Sequence, residues 1–114
     1  MLNGPVYSNL TVLSATGPEV VIVSPDLQGE CRSPVSIVAR FTPLSGHEVD
    51  LSTLKVEWLK FITFDLTSKV RPFATQEGIM AEEVSLPRGR HKLRISLGDT
   101  GGGLTQLLFE VKIA

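Results

Sequence analysis

The sequence predicts an all-β sandwich of about seven strands in two antiparallel sheets. Seven prolines and ten glycines divide the 114-residue chain at short intervals. The segments between them are rich in Val, Ile, Leu, Phe and Thr, and short β-branched segments between turn residues are typical of sandwiches and barrels. No stretch keeps a helical period of apolar residues over a dozen positions, so we do not expect helices to build the core.

Two strands are predicted in the first half of the chain. Residues 20–23 (VVIV) are consecutively apolar, which suits a strand that is covered on both faces or that changes sheets midway. Residues 34–43 (PVSIVARFTP) alternate apolar and polar positions between two prolines, as in a strand with one buried face. The segment before Glu19 fits either a tail or a leading half-strand. We therefore place the domain at residues 18–114 and treat residues 1–17 as that tail or half-strand.

A third strand is predicted to lose its regularity at its end. Residues 54–58 (LKVEW) place Trp58 on the same face as the aliphatic side chains, so it is expected to point into the core. The alternation fails in residues 59–64 (LKFITF), which predicts a bulge or a switch of sheets. Phe61, Ile62 and Phe64 cannot all face one core from a regular strand. Either a bulge or a crossover buries all three, which is the simpler interpretation, or at least one is exposed at a possible interaction edge, where a partner or a second copy could cover it.

One helical turn and a weaker strand are predicted next. Residues 65–73 (DLTSKVRPF) contain two possible caps, Asp65 and Thr67, and Pro72 would end the turn. Residues 78–86 (GIMAEEVSL) predict a strand whose alternation does not hold throughout.

The clearest strands are residues 90–97 (RHKLRISL) and 106–113 (QLLFEVKI), which alternate strictly. The intervening GDTGGG supplies residues that tolerate positive φ, as a hairpin loop requires. The register must pair the two apolar faces, because a slip of one residue would bury the arginines. Glu110 is therefore expected opposite either Lys92 or Arg94, and the basic residues of the first strand are interpreted as a solvated face.

The segment LPRGRHKLRISLGDTGG resembles the end of bacterial immunoglobulin-like modules, a group with fibronectin type III and cadherin-like relatives. PVSIVARFTP and LSTLKVEW resemble the second and third strands of the same modules, so the resemblance covers about residues 18–114. It implies an immunoglobulin-like Greek-key sandwich, in which His91 stands in the place of a corner tyrosine that bonds back to the upstream backbone. The positions that carry the resemblance at the end of the domain are Leu86, Pro87, Gly89, His91, Leu93, Ile95, Asp99 and Gly102.

The same resemblance implies a function without catalysis. Such modules act as structural spacers or protein-interaction domains of exported or cell-surface bacterial proteins, which implies an extracytoplasmic location. The expected partners are other proteins or neighbouring domains of a larger chain, and the open sheet edges of a sandwich also allow a homodimer. A carbohydrate-binding sandwich is the alternative, and it would need exposed aromatic side chains.

Charge and motifs argue against several other functions. The formal net charge is -1, from 11 basic and 12 acidic residues, whereas nucleic-acid binding usually needs a strongly basic face. No apolar segment reaches the roughly 20 residues that span a bilayer, so membrane insertion is not expected. Cys31 is the single cysteine, which rules out an intramolecular disulfide. His47 lies beside acidic residues at a spacing that matches no metal motif. We therefore expect no cofactor, no metal and no catalytic residues, and a small enzyme is the least favoured alternative.

Overall fold

The computed structural model describes residues 9–114, which form ten strands in two packed sheets. Seven strands are longer than three residues, and the other three are short edge pieces, which accounts for the difference from the expected seven. In chain order the strands are β1 (Leu10–Ala15), β2 (Glu19–Ser24), β3 (Glu30–Cys31), β4 (Val35–Thr42), β5 (Val49–Leu59), β6 (Thr63–Asp65), β7 (Ala74–Thr75), β8 (Gly78–Val84), β9 (Gly89–Asp99) and β10 (Leu104–Ile113).

The strand order confirms the predicted all-β sandwich. One sheet has the order β1-β10-β9-β5-β6, and β3 also pairs with β10 beyond the end of β1. The other sheet has the order β2-β4-β8-β7. The chain crosses between the sheets from β1 to β2, from β2 to β3 and back to β4, from β4 to β5, from β6 to β7 and from β8 to β9. Such crossings are typical of a Greek-key sandwich. All pairings are antiparallel except that of β3 with β10, which is parallel.

The core lies where the alternating faces of β4, β5, β9 and β10 meet. On β4 the side chains of Val35, Ile37, Ala39 and Phe41 are buried, as the period of two predicts. Neither expectation for residues 20–23 holds. β2 is an edge strand that pairs with β4 along its length, so it neither changes sheets nor is covered on both faces. Val20 is buried against the core, Val21 is exposed, and a bulge lies between Ile22 and Ser24.

In the β9–β10 hairpin Glu110 lies opposite Lys92, which is one of the two registers expected from the sequence. Its carboxylate is nearer to the diagonal neighbour Arg90, with Oε1 3.7 Å from Nη1. The side chain of Arg94 points toward the other neighbouring strand, β5. There its Nε and Nη2 both donate to Oε1 of Glu57, at 3.0 and 2.9 Å. The basic residues of β9 are therefore partly held by carboxylates on both neighbouring strands.

The predicted helical turn is α1 (Thr67–Val70), followed by a 3-10 turn at Arg71–Phe73 that contains Pro72. The carboxylate of Asp65 accepts the backbone N–H of Thr67 at 2.9 Å. The Thr67 hydroxyl accepts the N–H of Val56 at 3.0 Å, so it ties α1 to β5 and does not cap the turn. Among residues 9–114 no helix is long and apolar enough to cross a membrane.

The two ends of the sandwich carry different loops. The turn end holds the β9–β10 turn and the loop between β4 and β5. The hairpin end holds the β5–β6 hairpin, the start of β9 and the end of β10. Asn9 and Ala114 both lie in the half of the molecule near the hairpin end, because the Asn9 carbonyl accepts the N–H of Glu110 and the Cys31 carbonyl accepts the N–H of Ala114.

Candidate functional site

The β5–β6 hairpin presents three apolar side chains to solvent. The turn between the strands is closed by the Lys60 N–H, which donates to the Ile62 carbonyl at 3.2 Å. Phe61 is fully exposed, Ile62 is 66% exposed and Phe64 is 42% exposed. The interpretation that a bulge buries all three is therefore wrong, since the irregularity of residues 59–64 is a hairpin turn at a sheet edge. We call Lys60, Phe61, Ile62 and Phe64 the hairpin surface.

Trp58 lies beneath the hairpin surface and is half-buried, although it was expected to be a core residue. It keeps the inward face of Leu54 and Val56, but it sits near the end of β5, where other side chains cover the ring. Its ring centroid is 5.3 Å from that of Phe64, which lies opposite on β6. The Lys60 ammonium lies 4.7 Å from the ring centroid, a cation–π contact. The Lys60 ammonium therefore occupies one face of the indole, where a stacked sugar would otherwise lie.

His91 supports Trp58 from the neighbouring strand. Its ring is buried and meets the Trp58 ring edge-on, with 5.2 Å between centroids. Its Nε2 lies 2.6 Å from the carbonyl oxygen of Pro87, four residues upstream. A carbonyl oxygen can only accept, so Nε2 carries the proton and donates it. This contact holds the loop before β9 against the strand.

An open cavity of about 350 Å³ lies beside the hairpin. Both charged residues that line it, Lys60 and Arg90, are cations. Lys92 adds a third cation on the adjacent strand, opposite Leu59 in the register. The cavity is lined by Trp58, Leu59, Lys60, Phe61, Arg90 and His91.

Lys60 and Arg90 were not recognised in the sequence as part of a site. The spacing of two residues places Lys60 on the same face as Trp58 when the strand is extended, and this was the available signal. Arg90 could not be found in this way, because its proximity to the hairpin depends on the pairing of β5 with β9.

The other chemically active residues have structural roles or lie apart from one another. The Asp99 carboxylate accepts the N–H groups of Gly101 and Gly103, at 3.0 and 2.8 Å, and so shapes the β9–β10 turn. His47 is exposed in the loop between β4 and β5. Cys31 is half-buried at the end of β3. Within residues 9–114 no three side chains of His, Cys, Asp or Glu are grouped closely enough to hold a metal ion.

Comparisons of the chain with protein-family models, with curated proteins and with solved structures gave no match.

Proposed function

We propose that this chain is a non-catalytic, immunoglobulin-like module that binds another protein through its hairpin surface. The observation that carries the proposal is the presence of three adjacent exposed apolar side chains, Phe61, Ile62 and Phe64, at the edge of a sheet. Fully burying an apolar side chain of this size contributes about 1.5–3 kcal/mol. A partner that covers the hairpin surface would gain that free energy at Phe61 and less at Ile62 and Phe64, which are already partly buried. Aromatic anchors of this kind often dominate binding.

Support for the absence of catalysis comes from the histidines and the cysteine. His91 is bonded to a backbone carbonyl in the core, whereas His47 is exposed near the opposite end of the sandwich. Cys31 has the Asp26 carbonyl as its hydrogen-bond partner, at 3.9 Å. Nucleophilic catalysis needs a nucleophile within hydrogen-bond reach of a base, and these contacts do not supply that pair.

The bacterial, fibronectin-like or cadherin-like character of the module and its extracytoplasmic location rest on the resemblance of residues 18–114, and they form part of this proposal.

A random peptide library selected on the immobilised protein tests the proposal. Selection on the wild type should enrich peptides that fail to bind the triple variant Phe61→Ser/Ile62→Ser/Phe64→Thr. The matched control is Val21→Thr/Val23→Thr, which removes exposed apolar side chains from the distant strand β2. Circular dichroism melting verifies that each variant is folded. Enriched peptides that bind all three proteins equally, or no enrichment, would contradict the proposal.

A further inference from the structure

We infer that the hairpin surface recognises an extended acidic segment of its partner, in which carboxylates alternate with aliphatic or aromatic side chains. This inference rests on the proposed function and adds the chemistry of the partner. Two features of the described residues carry it. One is the charge around the cavity, and the other is the unpaired hydrogen-bond donor of Trp58.

The charge around the cavity is positive and incompletely neutralised. The ammonium groups of Lys60 and Lys92 have no carboxylate within ion-pair distance among the described residues. Arg90 keeps a side-chain exposure of 68%, and its contact with Glu110 is a long one at 3.7 Å. Carboxylates of a partner would therefore meet cations that are available for pairing.

One carboxylate near the hairpin is already neutralised by a close ion pair. Glu57 accepts two hydrogen bonds from Arg94, at 3.0 and 2.9 Å. Asp65 and Glu110 keep their negative charges, but the three cations Lys60, Arg90 and Lys92 outnumber them. Complementarity of charge therefore favours an acidic partner over a basic one.

The indole of Trp58 offers a donor without an acceptor. Its Nε1–H is buried and has no hydrogen-bond partner in residues 9–114. A buried donor without an acceptor is unfavourable, and buried polar groups of native proteins usually have partners. Trp58 lines the cavity but its Nε1 is buried, so a carboxylate or carbonyl oxygen of a bound segment would supply the missing acceptor only if the indole turns toward the cavity.

A second copy of this chain fits the surface less well than an acidic segment does. An interface across a two-fold axis uses the same patch of both copies, although a residue away from the axis contacts a different residue of the other copy. The surroundings of the hairpin, which carry Lys60, Arg90 and Lys92, would then face surroundings with the same excess of positive charge. Like charges that meet in this way oppose association.

Trp58 is the only tryptophan of the chain, so its fluorescence reports directly on the occupancy of the cavity. The probe is a short tryptophan-free peptide in which Glu alternates with Ile and Phe. Two matched peptides replace Glu with Gln or with Lys. The Glu peptide should give a saturable change of Trp58 fluorescence, whose apparent Kd rises on going from about 0.05 M to about 0.5 M NaCl because salt screens exposed charges. The Gln and Lys peptides should bind more weakly, in that order.

Charge reversal at Lys60 identifies the contact. Lys60→Glu should weaken binding of the Glu peptide about fivefold or more and should strengthen binding of the Lys peptide. Arg40→Glu makes a similar change of charge on the other sheet and should leave both affinities unchanged. A merely structural effect of the Lys60 substitution would not reverse the preference between the two peptides.

The possible failures separate the two proposals. Equal binding of the Glu and Gln peptides overturns the acidic partner, while hairpin-dependent peptides from the random library would still support the proposed function. If the library yields no hairpin-dependent peptide and none of the three probes binds, both proposals fail. A dimer in sedimentation that dissociates in the Phe61→Ser variant would make a second copy the occupant and overturn the acidic segment.

Discussion

At the scale of single residues, Trp58 tests how much of the hairpin end belongs to the core. Complete loss of a buried aromatic side chain lowers the free energy of unfolding by about 3–5 kcal/mol. Trp58 is half-buried, so Trp58→Ala should lower it by about 2 kcal/mol, while Trp58→Phe should retain most of the packing. Urea unfolding followed by circular dichroism measures both. An unchanged midpoint for Trp58→Ala would mean that the ring contributes nothing to packing.

Protonation of the single carboxylate of Asp65 should lower the free energy of unfolding in acid. Hydrogen bonding from the Thr67 side chain, and then from the Thr67 backbone N–H, lowers the pKa of Asp65 from its ordinary value of 3.8. The bond from the backbone N–H, at 2.9 Å, has the better defined geometry. Folded Asp65 therefore binds a proton less readily than unfolded Asp65 does. Its stabilising contribution is present above the ordinary pKa and is lost as the pH falls through the lowered one.

Asp65→Asn should consequently reduce the difference in urea midpoint between neutral pH and a pH below 3.8, since Asn has no proton to bind. Thr67→Ser keeps the hydroxyl and the backbone N–H, so it should retain the pH dependence of the wild type. The same acid sensitivity in Asp65→Asn as in the wild type would show that other groups are responsible for it.

At the scale of the strands, prediction from sequence succeeded where one face is buried and failed at the edges. The alternation of β4, β9 and β10 identified their inward residues, because only one face of each strand is shielded from water. It could not choose between Lys92 and Arg94 as the neighbour of Glu110, because both registers pair the apolar faces. The exposure of Phe61, Ile62 and Phe64 was left open for a different reason. It depends on where the chain turns, and a run of apolar residues carries little information about that.

The β9–β10 turn packs against residues 16–17, which follow β1, and its glycines are not equivalent. A Cβ on Gly103 would lie 2.2 Å from the Thr16 carbonyl oxygen and 2.8 Å from the Cα of Gly17, so the backbone would have to move. Gly102 has a φ of +82° but open space around it. Gly103→Ala should therefore lower the free energy of unfolding by about 1–3 kcal/mol through overpacking. Gly102→Ala should show only the strain of the left-handed conformation, about 1 kcal/mol.

Urea unfolding distinguishes the two glycines, and amide exchange locates the effect. In Gly103→Ala the N–H of Thr16, which donates to the Leu104 carbonyl at 2.9 Å, should exchange faster than in the wild type. Equal stability of the two variants would mean that the end of β1 yields to the added methyl group at little cost.

At the scale of the whole molecule, the apolar hairpin and its cations lie at the end of the sandwich opposite the β9–β10 turn. The side chains that close the turn, such as Asp99, stabilise the fold, whereas those of the hairpin surface contribute little to the core. Because of this separation, substitutions in the hairpin surface should have little effect on the stability of the fold.

Ile62→Lys should leave the free energy of unfolding within about 0.5 kcal/mol of the wild type, because a substitution at an exposed position breaks no core contact. Ile37→Lys is the matched control. Ile37 is fully buried on β4, so the same substitution there should unfold the domain. Sedimentation velocity of both the wild type and Ile62→Lys should show a monomer, since an acidic segment of another protein, and not a second copy, is expected on the hairpin surface. Unfolding of Ile62→Lys would place the residue in the core and remove the basis for binding at the hairpin.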